Sequence, residues 1–134
     1  YAVAADPRLR FLADDGEAIV PQAFGAWLCL ALPEGTRRLR LASQQVRPAE
    51  FDRTHPDPRR LGVAVAELRL DDRPVPLDDP RLCAGWHAPE PGLRWTDGAA
   101  LIDVTGTSLV ELRTAPIALP YVGPVTAQVR AAAG

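Results

Sequence analysis

Arg38-Leu39-Arg40-Leu41 alternates a charged and an apolar residue with strict period 2, the signature of a half-buried β-strand with arginine toward water and leucine toward a core. The reading that starts here extends in both directions as short strands punctuated by turns. Immediately upstream, Pro33-Glu34-Gly35-Thr36 supplies the proline and glycine of a tight turn. Before that, residues 23–32 carry Phe24, Ala26, Leu28, Leu30 and Leu32 on one parity and Gly25, Trp27, Cys29 and Ala31 on the other. Both faces of that segment are apolar, which predicts a central strand covered on both sides. Residues 9–20 read as a hairpin, because Phe11-Leu12 and Ala18-Ile19-Val20 flank Asp14-Asp15-Gly16.

Downstream, residues 43–60 turn polar and contain Pro48, Pro56 and Pro58. Such a stretch suits a crossing between sheets and forms the first candidate functional loop. Leu61, Val63 and Val65 then share one parity, while Leu68 and Leu70 take the other. The inward face must switch near Ala66-Glu67, so one extra residue, a β-bulge, is expected there. A second loop, residues 78–93, holds Pro80, Gly85, Pro89, Pro91 and Gly92 before a strand expected from Trp95 through Val104. Val110 and Leu112 alternate with Glu111 and Arg113, and residues 125–129 suggest a last weak strand. About eight short strands with little helical periodicity imply an all-β fold, a two-sheet antiparallel β-sandwich or jelly roll. No internal repeat is visible.

Composition bounds the rest. A chain of 134 residues, 47% hydrophobic and 24% charged, matches a single domain over 1–134. Its 14 prolines and 10 glycines are scattered, which disfavours long helices. Fifteen basic residues interleave with 17 acids for a net charge of −2, so there is no basic stripe and nucleic acid is not an expected partner. No run reaches the roughly 20 apolar residues of a membrane span, and no membrane partner is expected. Every basic residue is arginine, with no Lys, Asn or Met, which removes Schiff-base lysine chemistry and N-glycosylation. Cys29 and Cys83 are too sparse for a disulfide scaffold, and Cys29 reads as a small buried hydrophobe.

The densest cluster of unusual residues is Gly85-Trp86-His87-Ala88-Pro89-Glu90 with Arg94-Trp95-Thr96-Asp97-Gly98. Two tryptophans stand among a histidine, two acids and an arginine. Saccharide-binding surfaces use that mixture, because aromatic faces stack on C–H faces while carboxylates and guanidinium groups bond hydroxyls. Trp86, His87, Glu90, Arg94, Trp95 and Asp97 are therefore candidate ligand-binding residues, with a polysaccharide or glycan as ligand. The structural alternative is that Trp86 and Trp95 plug the end of the sandwich while Arg94 and Asp97 pair locally. Arg59 and Arg60 join the candidates: alternation sends them to opposite faces, and one is placed to meet an acid of the other loop or a ligand.

Other chemistries find less. His87 and Glu90 lack further metal ligands nearby, so no metal site is expected. His55 reads as an exposed loop histidine. Neither Ser43, Ser108 nor the cysteines sit in an activating elbow or at a helix N-terminus. The paired acids Asp14-Asp15, Asp71-Asp72 and Asp78-Asp79 lie in turn signatures, where Asp bonds its own backbone. No cofactor is expected, since no glycine-rich phosphate loop occurs.

The strings Arg59-Arg60-Leu61-Gly62-Val63-Ala64-Val65, Gly85-Trp86-His87 through Glu90, and Arg94-Trp95-Thr96-Asp97-Gly98-Ala99 resemble a pattern found in two bacterial settings. One is the non-catalytic β-rich module beyond the Hint (hedgehog/intein) domain; the other is a β-sandwich module attached to some glycosyltransferases. The resemblance runs from about Leu9 to Leu112 and includes Leu39-Arg40-Leu41-Ala42-Ser43 and Pro48-Ala49-Glu50. It implies a non-catalytic accessory module. Self-cleavage is not carried over, because the Cys or Ser nucleophile and the Thr-x-x-His setting of the Hint core have no match here, nor does an Asp-x-Asp metal motif. Three functions follow as expectations: a carbohydrate-binding-like accessory module; a structural or interaction module that docks on a neighbouring domain or forms a homo-oligomer; and a small hydrolase using His87 with Asp97 or Glu90.

Overall fold

The structure is a computed structural model that describes residues 8–46 and 59–117, together with the backbone of 2–4 and 121–123. The described residues form an all-β sandwich of two antiparallel sheets, with no helix. The four-stranded sheet runs β10 (Ala99–Asp103), β6 (Arg38–Ala42), β2 (Arg10–Leu12), β3 (Ala18–Ile19). The six-stranded sheet runs β4 (Gln22–Phe24), β5 (Trp27–Ala31), β11 (Leu109–Thr114), β7 (Ala64–Leu70), β8 (Arg73–Pro74), with β9 (Arg94–Trp95) also paired to β7. The backbone of β1 (Ala2–Ala4) pairs with β12 (Tyr121–Gly123) as a separate two-stranded sheet.

Period-2 alternation decides what meets between the layers. Phe11, Leu39, Leu41, Ala100 and Ile102 come from one sheet and Leu30, Leu68, Leu70, Val110 and Leu112 from the other, all in one buried cluster. In β6 the buried residues are Leu39 and Leu41 while Arg38 and Arg40 are exposed, as the arginine–leucine alternation requires. The bulge also falls where the parity switch places it. Arg113 pairs with Glu67 but Thr114 with Val65, so Ala66 is the extra residue of β7.

Two expected strands are each divided in the structure. Residues 23–32 do not form one covered strand, because Gly25, with φ +60°, turns the chain into a β4–β5 hairpin. All three residues of β4 are exposed at the sheet edge, and Cys29 is half-buried on the outer face of β5 instead of lying in the core. Residues 95–104 likewise divide at Gly98, φ +101°, so that β9 serves the six-stranded sheet and β10 the four-stranded one. A glycine with positive φ redirects the chain cheaply, which period-2 counting does not register. The suggested strand at 125–129, the resemblance's Pro48-Ala49-Glu50 and His55 lie outside the described residues.

The paired acids act at turns, although two of the six, Asp14 and Asp71, bond across the fold. Asp15 Oδ1 accepts from Glu17 N (2.9 Å) and Asp79 Oδ1 from Arg81 N (2.9 Å), both local. Asp14, by contrast, accepts from the backbone N–H groups of Arg37 (2.9 Å) and Arg38 (2.6 Å), tying the β2–β3 turn to the start of β6. Asp71 Oδ1 receives Ser108 N and Leu109 N in the same way. Those two backbone bonds hold the Asp14 carboxyl below its ordinary value of 3.8, and the Thr105 hydroxyl and N–H do the same for Asp103, with Arg38 adding to both. A depressed folded pKa stabilises the fold above the unfolded value, and that contribution fades as pH falls through the folded value. Thermal melts of Asp14→Asn and the wild type should therefore differ at about pH 6, and the difference should shrink as the pH is taken down below 3.8. A constant difference across that range would show that the charge at Asp14 is not what holds the turn.

Candidate functional site

Residues 78–98 fold as an irregular hairpin laid along β10 and β7, not as an open loop. Residues 81–84 run beside β10, with Cys83 N donating to Leu101 O (3.0 Å) and Leu101 N to Ala84 O (2.8 Å). The chain then doubles back through bridges between Trp86 and Thr96 and between Glu90 and Leu93. Gly92, with φ +79°, forms part of the tip, and His87 N bonds Trp95 O at 2.9 Å.

This path separates the two tryptophans. Trp95 is only 7% exposed and packs with Val46, Leu61 and Ala64, against Leu93 and Ala115, in a second small core. It therefore offers no face to a ligand, which corrects its place among the stacking residues. Trp86 is half-buried against the main core, and its Nε1 donates to Leu101 O at 2.9 Å. The two rings pack against two different clusters, so among the described residues they form no shared aromatic platform.

The polar candidates hold the hairpin in shape. Arg94 Nε donates to His87 O (2.6 Å) and its Nη1 to Leu77 O (2.8 Å), while its guanidinium carbon lies 5.7 Å from the Trp86 ring centre. Arg94 and Asp97 do not pair with each other: Asp97 Oδ1 accepts from Ala99 N (2.9 Å). His87 Nε2 lies 2.7 Å from Arg60 O; since a carbonyl only accepts, Nε2 carries the proton. Glu90 forms an exposed ion pair with Arg59 at 3.4 Å, so an arginine of the first loop does meet an acid of the second. The Arg60 side chain is exposed, and its backbone is what the hairpin uses. No hydrogen bond joins His87 to Asp97 or Glu90 among the described residues, and no group of three or more His, Cys, Asp and Glu side chains converges there.

Thr96 is the residue that composition and spacing passed over. It is fully buried, and its Oγ1 both accepts from Val63 N (3.0 Å) and donates to Val63 O (3.1 Å). A polar residue between two strand signals carries no pattern that marks it as a core clamp. Gly62 lies against it: a Cβ there would stand 2.5 Å from Thr96 Oγ1 and 2.6 Å from Gly98 N. Gly62 and Gly85, both quoted among the resembling strings, are thus packing glycines at the crossover between sheets.

The fold and this hairpin define an all-β sandwich whose 81–98 segment laces the two sheets together. Comparison with protein-family models, curated proteins and solved structures finds no match to the chain.

Proposed function

We propose that this domain is a non-catalytic module that assembles with a second copy of itself through the open edge formed by β3 and β4. The observation that carries this reading is the exposure of Val20 (84%) and Phe24 (62%) on that edge. β3 ends the four-stranded sheet, β4 ends the six-stranded sheet, and only Val20 and Pro21 separate them in sequence, so among the described residues one side of the sandwich is uncovered edge. Residues 18–33 contain no charged side chain, in a protein where 24% of residues are charged. Edge strands are normally protected by charge, by proline or by a covering element. Here Pro21 alone interrupts the edge.

An uncharged edge is complementary to itself, since a two-fold contact opposes like with like and no repulsion arises. Antiparallel pairing about Ala23 sets Phe24 of each copy opposite Gln22 of the other and continues the six-stranded sheet across the interface. Three residues a side make a small interface, so association in the micromolar to millimolar range is expected, about −8 to −4 kcal/mol. This reading keeps the accessory role that the resemblance to Hint-associated modules implies. It is checked by sedimentation equilibrium over a concentration series. The wild type should show a reversible dimer, and Phe24→Glu should weaken it roughly tenfold or more without lowering the melting temperature. A wild type that stays monomeric at the highest concentration removes the proposal.

A further inference from the structure

We propose that the outer face of the four-stranded sheet binds a carboxylate-bearing saccharide, a uronic acid unit, in the groove crossed by Arg40. The site is independent of the edge above and of the tryptophan hairpin. The groove measures ≈520 Å³ between the β2–β3 turn and strands β6 and β10, and its lining includes Leu12, Asp14, Asp15, Arg38, Arg40 and Leu101.

The register explains why Arg40 stands apart. On this face Arg38 is opposite Asp103, and the two form an ion pair at 3.2 Å. Arg40 is opposite Leu12 on one side and Leu101 on the other. Its guanidinium is exposed and has no acid in ion-pair reach among the described residues. A cation flanked by two half-buried leucines lies over an aliphatic floor, which suits the C–H face of a sugar ring, while the planar donor fork suits a carboxylate.

Acceptors complete the match. Asp14 has both oxygens committed to the N–H groups of Arg37 and Arg38, but Asp15 uses only Oδ1, on Glu17 N. Its Oδ2 remains to accept a hydroxyl. A groove that presents a guanidinium, a carboxylate oxygen and an apolar floor favours a ligand carrying an acid and hydroxyl groups on one ring. A simple anion would make no use of the Asp15 oxygen, and a neutral sugar would make no use of the Arg40 charge. The floor is rigid on its far side, because Leu101 N donates to Ala84 O while Leu101 O receives the Trp86 indole N–H. Trp86 thus ties the hairpin to the strand beneath the groove and does not line the groove itself.

The test is titration of the protein, followed by heteronuclear NMR, with tri-galacturonate and with the neutral probe maltotriose at low salt. Tri-galacturonate should shift the Leu12, Arg40 and Leu101 amides with a Kd of about a millimolar or tighter, and maltotriose should bind at least about tenfold more weakly. Arg40→Gln should lower affinity about tenfold, whereas Arg60→Gln, the same charge change at the hairpin, should leave it unchanged. Equal binding of the two probes, equal losses in the two variants, or no shift with tri-galacturonate would each overturn the proposal.

Discussion

Trp95→Ala lowers the unfolding free energy by about 3–5 kcal/mol, the range for removing a buried indole. The ring is 7% exposed and, with Val46, Leu61 and Ala64, makes up the buried part of the second core among the described residues. Among the described residues no neighbouring strand is free to fill the void. Trp95 lies in β9, whose backbone pairs with Ala64 and Val65, and Val46 and Leu61 bond each other's backbone at 2.8 and 2.6 Å. These elements are held apart by their own hydrogen bonds, so the cavity stays open and its cost remains in full. For a domain of this size the melting temperature should fall by about 10–20 °C. Denaturant unfolding monitored by far-ultraviolet circular dichroism reads the effect, and a loss under about 1 kcal/mol would mean that the indole is not packed. A ligand platform would behave otherwise, since removing an exposed stacking ring weakens binding and leaves stability nearly unchanged.

The contrast between the two tryptophans shows what a sequence can convey about such a cluster. Aromatic, acidic and basic residues within a dozen positions carry the same signal whether they face solvent or the interior. What separates the outcomes is register: Trp95 is paired to Ala64 on a strand whose neighbours bury it, and that pairing is a long-range fact. Alternation within one strand was fully legible, as Arg38–Leu41 and the extra residue at Ala66 show, because period 2 is set by local backbone geometry. Segments 23–32 and 95–104 were legible as strand but not as two strands each. Glycines 25 and 98 adopt positive φ there, and nothing in the alternation around them marks the turn. The uncharged edge follows from that division: while 23–32 is read as a central strand its apolar faces appear covered, and only the break at Gly25 leaves Phe24 at an edge.

The groove under Arg40 was hidden for a related reason. Arginine facing water is the expected state of a half-buried strand, and the sequence of β6 shows Arg38 and Arg40 as equivalents. Their cross-strand partners differ, Asp103 for one and two leucines for the other, and this alone distinguishes a paired guanidinium from one with no ion-pair partner among the described residues. The candidate site thus moves from a loop rich in unusual residues to a sheet face made of ordinary ones, while the loop supplies its support through Trp86.

Gly85→Ala is expected to destabilise the fold by about 3 kcal/mol or more, because two separate costs fall on one atom. The residue has φ +82°, a conformation that costs an alanine about 1 kcal/mol. The added Cβ would also overlap the Ala99 carbonyl oxygen and stand 2.7 Å from Ala100 Cα. Neither atom can withdraw, since Ala99 and Ala100 pair with Ala42 and Leu41 across β6, and Gly85 O itself receives Asp97 N at 2.9 Å. Gly16→Ala provides the comparison: its φ of +84° is nearly the same, but a Cβ there meets nothing within 4 Å. The difference between the two variants isolates the steric part from the backbone strain. Gly16→Ala should cost about 1 kcal/mol and Gly85→Ala at least about 2 kcal/mol more, read from urea midpoints at constant slope. Equal losses would show that the hairpin does not press against β10, and with that contact gone the support beneath Leu101 and the groove would go as well.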